Sequence, residues 1–260
     1  MLSERNNNLA IHLSNIDFCW GSEKNDFRIG VKDFQLKKNE SVILIGPSGV
    51  GKSTLLSLLC GILKPQKGIT QILGENIESM SDSEKDCYRA DHMGIIFQQF
   101  NLVPYLSAID NVLLPLHFSP ARRQASGKIQ SKTNVEAHRL LDALGIASKT
   151  LGLQKAATLS IGQQQRVAAA RAFIGSPEII IADEPTSALD PETERYLLTA
   201  LKDLTSEKLV IVLAHRLSTI RRASNIIFLE DGEVVEQGAH EDLMKIDAGR
   251  YRRFVDLQIQ

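Results

Sequence analysis

A glycine-rich segment with a single lysine carries the clearest chemistry in this sequence. It reads Gly46-Pro47-Ser48-Gly49-Val50-Gly51-Lys52-Ser53-Thr54 and fits the pattern G-x-x-x-x-G-K-[ST]. Glycines let backbone N–H groups approach phosphate oxygens, the lysine supplies a cation, and the serine hydroxyl is a ligand for Mg²⁺. These residue types predict a phosphate loop, residues 46–54, that binds the triphosphate of a purine nucleotide with Mg²⁺.

Two adjacent carboxylates are the second chemical feature. The apolar run Ile179-Ile180-Ile181-Ala182 leads directly into Asp183 and Glu184. Neighbouring residues of a strand point to opposite sides, so one carboxylate can serve a metal ion while the other serves a water molecule. With a phosphate loop upstream, we expect Asp183 to hold Mg²⁺, directly or through water. We expect Glu184 to polarise the water that attacks the γ-phosphate.

Alternating strands and helices must position these groups. The apolar run Val42-Ile43-Leu44-Ile45 predicts a strand buried on both faces that leads into the phosphate loop, and the leucines after Lys52 predict a helix. Further strands are predicted at 9–20, 27–36, 69–77, 94–97, 179–181, 209–213, 226–229 and 234–235, and helices at 81–90 and 134–144. The segment from 119 to 134 is expected to be an exposed loop or a frayed helix. The pattern predicts an α/β fold with a mainly parallel sheet covered on both faces.

Charge and hydropathy narrow the functional classes. The 260 residues include 30 Lys+Arg and 31 Asp+Glu, a formal net charge of −1, so no global basic field attracts nucleic acid and no nucleic-acid partner is expected. The local pair Arg122-Arg123 is expected on the solvated surface. No segment approaches the roughly 20 apolar residues that cross a bilayer, and the N-terminus lacks the apolar core of a secretory signal. The chain is expected to be cytoplasmic and to reach a membrane through a partner.

The three cysteines give no sign of a site. Cys19, Cys60 and Cys87 are widely spaced and odd in number, which matches neither a metal-ligand pattern nor a disulfide framework. We expect all three to be small apolar residues of a protein in a reducing compartment.

A third segment, Leu159-Ser160-Ile161-Gly162-Gln163, resembles the signature of ATP-binding cassette (ABC) ATPases. The resemblance covers roughly residues 9 to 245, and the motifs follow the family's order. It implies a P-loop NTPase fold with a mainly parallel RecA-like sheet, an antiparallel β subdomain and an inserted helical subdomain. It also implies one ABC ATPase domain over 1–260, with its core at about 9–97 and 166–245, its helical subdomain at about 98–165, and a tail at 246–260.

The resemblance assigns roles near the base and the metal ion. Trp20 stands where family members carry an aromatic residue that stacks on adenine, and a place in the core is the alternative interpretation. Gln98 corresponds to the glutamine that touches Mg²⁺ and senses the membrane partner, with Gln99 as a rival by one position. ATP and Mg²⁺ are therefore the implied substrate and cofactor.

The resemblance assigns further roles at the γ-phosphate. Ser160, Gly162 and Gln163 correspond to the signature that meets the ATP held by the opposite subunit, and the helix formers that follow place a helix N-terminus there. Asp190, in Ser187-Ala188-Leu189-Asp190, corresponds to the loop that contacts that subunit. His215, after the strand at 209–213, corresponds to the switch histidine. A second copy of the chain is thus an expected partner.

One position departs from the family pattern. Most signatures read Leu-Ser-Gly-Gly-Gln, and this chain has Ile161 at the first glycine. A β-branched side chain beside the phosphate is expected to slow closure of the dimer or hydrolysis.

The membrane partner is implied only as a class. The stretch from Phe97 to Val112 resembles ATPases of the lipoprotein-release and macrolide-export group, which drive membrane partners with large extracytoplasmic domains. The stretches 214–220 and 235–240 instead resemble exporters whose ATPase is fused to six membrane helices. We expect an ATPase on the inner face of the cell membrane that drives a permease, with extrusion of a lipoprotein, peptide or macrolide. The alternative is a regulatory module that signals to a membrane-bound cell-wall hydrolase or division apparatus without transport. The substrate, the direction of transport and the identity of the permease are not encoded in this chain.

Overall fold

The computed structural model describes residues 8–21, 27–127, 130–183, 199, 204–213, 220 and 223–259. The chain divides into two compact units, Met1–Lys85 with Ile211–Gln260 and Asp86–Val210. The helix α2 (Asp82–His92) and the strand β8 (Leu209–Leu213) each contain one of these divisions. The predicted domain boundaries near 98 and 165 both fall within the second unit, and that domain assignment stays a prediction.

The first unit contains an antiparallel sheet and a set of strands around the phosphate loop. In chain order its described elements are β1 (Leu9–Cys19), β2 (Arg28–Lys37), β3 (Ser41–Ile45), α1 (Lys52–Leu59), β4 (Lys67–Ile72), β5 (Glu75–Asn76), β9 (Asn225–Glu230), β10 (Glu233–Gly238), α9 (His240–Leu243) and α10 (Arg250–Ile259). The antiparallel sheet has the strand order β2-β1-β4-β5. The predicted early strands therefore exist and pair as expected.

The strand that feeds the phosphate loop belongs to the parallel part of this unit. β3 pairs in parallel with β9, and β10 returns antiparallel to β9 after a turn through Asp231 and Gly232. Four of the five β3 residues are buried, as expected of an apolar run covered on both faces. Behind it, Phe228 and Tyr251 pack edge to face in a core that α10 completes. The loop therefore starts from a rigid strand.

The second unit is mainly helical. Its described elements are the end of α2, then β6 (Met93–Ile96), α3 (Ala108–Leu113), α4 (Pro115–Phe118), α5 (Pro120–Ala125), α6 (Gln130–Ala143), α7 (Ser148–Leu151), α8 (Ile161–Phe173) and β7 (Ile179–Asp183). β6 and β7 pair in parallel, and α3 and α6 pack on α8. In neither unit is any described helix long and apolar enough to cross a membrane.

Several expectations about surface and core are wrong. For the segment from 119 to 134 only the loop alternative is wrong: the segment contains α5 and the start of α6. Ser119 accepts a hydrogen bond from the backbone N–H of Arg122 and caps α5. Arg122 is buried, at 3% exposure, since its guanidinium meets backbone carbonyl groups of the second unit. Of the cysteines, Cys60 is buried but Cys87 is exposed.

Candidate functional site

The phosphate loop connects β3 to α1 within the first unit. Lys52 is the first residue of α1 and is buried at 9% exposure. Its ammonium group donates hydrogen bonds to the carbonyl oxygens of Gly46 at 2.9 Å and Pro47 at 2.8 Å. The cation is therefore held across the start of the loop, and Pro47, Ser48 and Gly49 are exposed.

The three loop glycines are required for different physical reasons. A Cβ at Gly46 would lie 2.1 Å from the carbonyl oxygen of Leu229 in β9, and one at Gly51 would lie 2.5 Å from the ring of Phe27. At Gly49 nothing lies within 4 Å, but its φ of 83° is a conformation that favours glycine. The open space at Gly49 therefore fits the argument that glycine lets the backbone approach phosphate, whereas at Gly46 and Gly51 close packing adds to a positive φ.

Trp20 lies beside the end of the phosphate loop. It is 52% exposed, and its indole N–H donates to the hydroxyl of Thr54 at 3.2 Å. The ring of Phe18 packs against it edge to face, with centroids 5.3 Å apart. The alternative that Trp20 is a core residue is wrong, and the exposed indole is free to serve as a stacking surface. Ser53, the predicted metal ligand of this loop, is also exposed.

The second unit places Asp183 and the turn containing Gln98 at one edge of its parallel strands. β6 and β7 pair with Ile96 opposite Ala182, so Asp183 and the residues after Ile96 leave the sheet at the same, carboxyl-terminal edge. Asp183 is half-buried, and Gln98 and Gln99 are both exposed. The backbone N–H of Phe100 donates to the carbonyl oxygen of Phe97 at 3.0 Å and closes a turn around the two glutamines. Both remain candidates for the metal-sensing position.

The signature segment, residues 159–163, forms the beginning of α8. Ser160 is its N-cap: the hydroxyl oxygen accepts from the backbone N–H of Gln163 at 3.3 Å, and the Gln163 side-chain oxygen accepts from the backbone N–H of Ser160 at 2.9 Å. This is a capping box, whose Ser-x-x-Gln pattern was visible in the sequence. Ile161 is 59% exposed, and Gly162 is half-buried. The helix N-terminus that results favours a phosphate.

Three predicted residues lie outside the part of the chain that the structure describes. They are Glu184, Asp190 and His215. Their predicted roles as water-polarising base, subunit-contact residue and switch histidine stay predictions.

The structure also identifies two buried arginines that sequence reasoning missed. Burial lowers the pKa of Arg122 to about 10, against the opposing charges of Asp91 and Glu178. Burial likewise lowers the pKa of Arg171. Nothing in the local sequence distinguishes these side chains from solvated arginines, because their partners are carbonyl groups of residues distant in the chain.

The residues present fit a nucleotide with Mg²⁺. The hydroxyl of Ser53, the carboxylate of Asp183 and the amide oxygen of Gln98 are the hard oxygen ligands that Mg²⁺ prefers. The open space at Gly49 and the ammonium of Lys52 match the needs of a triphosphate.

Known proteins resemble this chain closely. Residues 31–187 match the family described as ABC transporter. The uncharacterized ABC transporter ATP-binding protein MJ0796 of Methanocaldococcus jannaschii is 40% identical over 204 residues, which cover 78% of this chain and 85% of that protein. The macrolide export ATP-binding/permease protein MacB of Pasteurella multocida is 35% identical over 246 residues, 93% of this chain but 36% of that protein.

Solved structures give the same result for the fold. The dimeric post-hydrolysis structure of the ATP-binding cassette MJ0796, bound to ADP and Pi, has a TM-score of 0.77 at 36% identity and covers 88% of this chain and 98% of that chain. A bacterial Atm1-family ABC exporter with ATP bound has a TM-score of 0.79 at 28% identity, covering 98% of this chain and 42% of that chain. The predicted fold class is confirmed, and the chain belongs to the ABC transporter family, as an ATPase.

Proposed function

We propose that this chain is the ATP-hydrolysing subunit of an ABC transporter, closes head to tail with a second copy around two Mg-ATP, and drives a separate membrane permease. The observation that carries the proposal is the phosphate loop, in which the buried cation of Lys52 is held beside the open backbone at Gly49. The dimeric relative bound to ADP and Pi supports the pairing.

Hydrolysis in this proposal uses position and charge more than covalent chemistry. Lys52 exchanges its loop carbonyl partners for phosphate oxygens. Ser53, Gln98 and Asp183 would hold Mg²⁺, which neutralises charge that develops on the phosphates. Glu184 orients and polarises the attacking water, and His215 contacts the γ-phosphate. The indole of Trp20 stacks on the adenine.

Dimer closure follows from the place of the signature. Ser160, Gly162 and Gln163 present a helix N-terminus to the γ-phosphate bound by the opposite copy, and Asp190 contacts that copy. ATP therefore binds the closed dimer more tightly than the open one, and this difference in affinity drives the change of shape. Hydrolysis removes it and reopens the pair.

A separate permease is the proposed partner, with export as the direction. The fused permease of the related MacB protein supports this kind of partner. The second unit exposes the large apolar side chains of Tyr105, Phe118 and Leu153, at 73%, 67% and 77%, and exposed apolar side chains suit a protein interface. The chain would then sit on the inner face of the membrane.

The test is to trap the complex in native membranes. Glu184→Gln should bind ATP, fail to hydrolyse it, and accumulate as a closed dimer on its permease. Gentle purification with ATP followed by mass spectrometry should then identify a four-helix permease with a large external domain. Lys52→Ala in the same membranes is the matched control, because it should lose ATP affinity and bring down no partner.

Other results of this experiment would favour a different partner or a different function. A six-helix partner would move the assignment to another transporter group. A cell-wall hydrolase activator would favour the signalling module. A nucleotide-bound dimer with no membrane protein would contradict the transport proposal.

A further inference from the structure

Arg171 is bonded to the turn that carries Gln98. From α8, one terminal nitrogen of its guanidinium donates to the carbonyl oxygen of Asn101 and the other donates to that of Phe100, each at 2.6 Å. Charged hydrogen bonds from one planar fork fix both the position and the direction of the backbone that they reach. The turn at residues 97–101 is therefore tied to α8.

The carbonyl groups that Arg171 holds belong to a backbone in an unusual conformation. Phe100 has φ 60° and Asn101 has φ 48°, and left-handed backbone is uncommon outside glycine, above all for a bulky residue such as phenylalanine. The N–H of Asn101 also donates to the carbonyl oxygen of Gln99 at 2.6 Å, which tightens the turn. Such a conformation persists where the surrounding structure imposes it.

The burial of Arg171 shows that its bonds serve the backbone. The side chain is 9% exposed, and no carboxylate lies within ion-pair distance of it among the described residues. A buried cation without an acidic partner is costly unless its N–H groups are satisfied. Here the turn carbonyl groups supply that compensation, so turn and arginine stabilise each other.

Arg171 also links the turn to the signature. α8 begins at Ile161, just after the cap residue Ser160, and ends at Phe173. At 1.5 Å per residue, roughly 15 Å of continuous helix separate the signature from Arg171. A helix is stiff over this length, so the Gln98 turn and the signature share one rigid element within the second unit.

We propose that Arg171 is a positioning residue for Gln98: it fixes the Gln98 turn on α8 so that the glutamine meets Mg²⁺ in register with the signature. This inference rests on the proposed function, in which Gln98 is a metal ligand.

The first test needs no nucleotide. Arg171→Met keeps an unbranched apolar stem but removes the fork, so hydrogen–deuterium exchange of the amides at 97–101 should become faster in the nucleotide-free protein. The second test measures the gain in ATP affinity that Mg²⁺ provides, as the dissociation constant of ATP in EDTA divided by that in Mg²⁺. That ratio should fall roughly tenfold in Arg171→Met, while affinity in EDTA should stay unchanged because Lys52 is untouched. The kcat should fall roughly 10- to 100-fold.

Arg122→Met is the matched control for loss of a buried arginine. Its guanidinium donates to the carbonyl oxygens of Ile174 at 2.7 Å and Ala172 at 2.9 Å, and at 3.5 Å to the backbone carbonyl oxygen of Arg171, but not to the turn. It should lower Tm as Arg171→Met does, yet leave both the exchange of the turn and the Mg²⁺-dependent gain in affinity as in the wild type. Arg171→Lys should rescue part of the loss, since it keeps the charge but not the two-pronged geometry.

A double variant tests the positioning role of Arg171 separately from the proposed role of Gln98 as a metal ligand. Arg171→Met combined with Gln98→Ala should lose no more of the Mg²⁺-dependent gain than Gln98→Ala alone. Additive losses, or unchanged exchange at 97–101 in Arg171→Met, would overturn the positioning role. A full Mg²⁺-dependent gain in Gln98→Ala would instead refute the proposed metal ligand, and with it the functional part of this inference.

Discussion

At the scale of single residues, Ile161 is the position where this chain departs from the signature of its family. The side chain is 59% exposed at the first turn of α8, next to the half-buried Gly162. Because this side chain is largely exposed, replacing it with a smaller residue removes bulk without opening a cavity in the core. In the proposed function, the effect of this side chain is therefore on closure of the dimer rather than on folding.

We predict that Ile161→Gly raises the basal ATPase rate. Glycine removes the β-branched side chain from the surface that, in the proposed function, meets the opposite copy, while glycine near a helix N-terminus costs only about 1 kcal/mol of stability. The measurement is kcat of the purified protein at saturating Mg-ATP, with Ile161→Val as the control that stays β-branched. A rate that is unchanged or lower in Ile161→Gly would refute the expected obstruction.

At the scale of elements, the N-terminus of α8 has two tasks. The capping box of Ser160 and Gln163 satisfies two backbone N–H groups of the chain itself. The hydroxyl accepts in that box, so its own proton is not consumed by the cap. In the proposed function, this proton is directed to the phosphate of the opposite copy. In the proposed function, stability and dimerisation would thus depend on one side chain for different reasons.

Two substitutions of Ser160 should separate these tasks. Ser160→Ala should lower the free energy of unfolding by about 1 kcal/mol, whereas Ser160→Gly should lower it by only a few tenths. Both should impair the ATP-dependent dimer of Glu184→Gln, measured by size-exclusion chromatography with light scattering. Ser107→Ala is the control: Ser107 caps α3 by accepting from the N–H of Asp110 at 3.1 Å, so this change should affect stability alone. If Ser160→Gly still forms a normal ATP-dependent dimer, the Ser160 hydroxyl does not contribute to the dimer interface.

At the scale of the whole molecule, the pH dependence of unfolding contains an identifiable contribution from His92 and Glu178. The His92 ring nitrogen lies 3.1 Å from a Glu178 carboxylate oxygen. The bond to Glu178 raises the pKa of His92, burial opposes this, and the charges of Glu178 and Asp91 add to it. Burial is the largest single influence on Glu178 and by itself would raise the pKa of its carboxyl group. The hydrogen bonds from His92 and from the residue's own backbone N–H, together with the charges of His92 and Lys208, outweigh burial, so the pKa is lowered.

The signs of these shifts define a pH window. The raised pKa of His92 gives stability that is complete below its unfolded value near 6.5 and is lost as pH rises through the folded pKa. The lowered pKa of Glu178 gives stability that is lost as pH falls below about 4.5.

We predict that His92→Gln lowers the free energy of unfolding more at about pH 5.5 than at about pH 8. Urea unfolding at both values measures this, and an equal loss at both would contradict the assigned pair. Glu178→Gln should show the same pH trend on top of a loss at both pH values, because its charge also acts on Arg122 and Lys208. Adding His92→Gln to Glu178→Gln should cause no further pH-dependent loss.

The sequence by itself determined the features that depend on short-range pattern. The order of residue types from Gly46 to Ser53 predicted the phosphate loop, and the apolar runs on either side predicted β3 and α1, because strands and helices have a local hydrophobic period. The strand ending at Asp183 was predicted in the same way. The resemblance of the signature predicted the family, which the comparisons confirm.

Only the tertiary structure decided which partners these residues meet. The sequence predicts a solvated arginine at Arg122, but in the structure its guanidinium donates to the carbonyl oxygen of Ile174. Arg171 looks in the sequence like an ordinary helix former, but its guanidinium donates to the carbonyl oxygens of Phe100 and Asn101. The demand for glycine at position 46 comes from the carbonyl oxygen of Leu229, far along the chain. Burial and hydrogen bonding join residues that are distant in sequence, and no local period records such contacts.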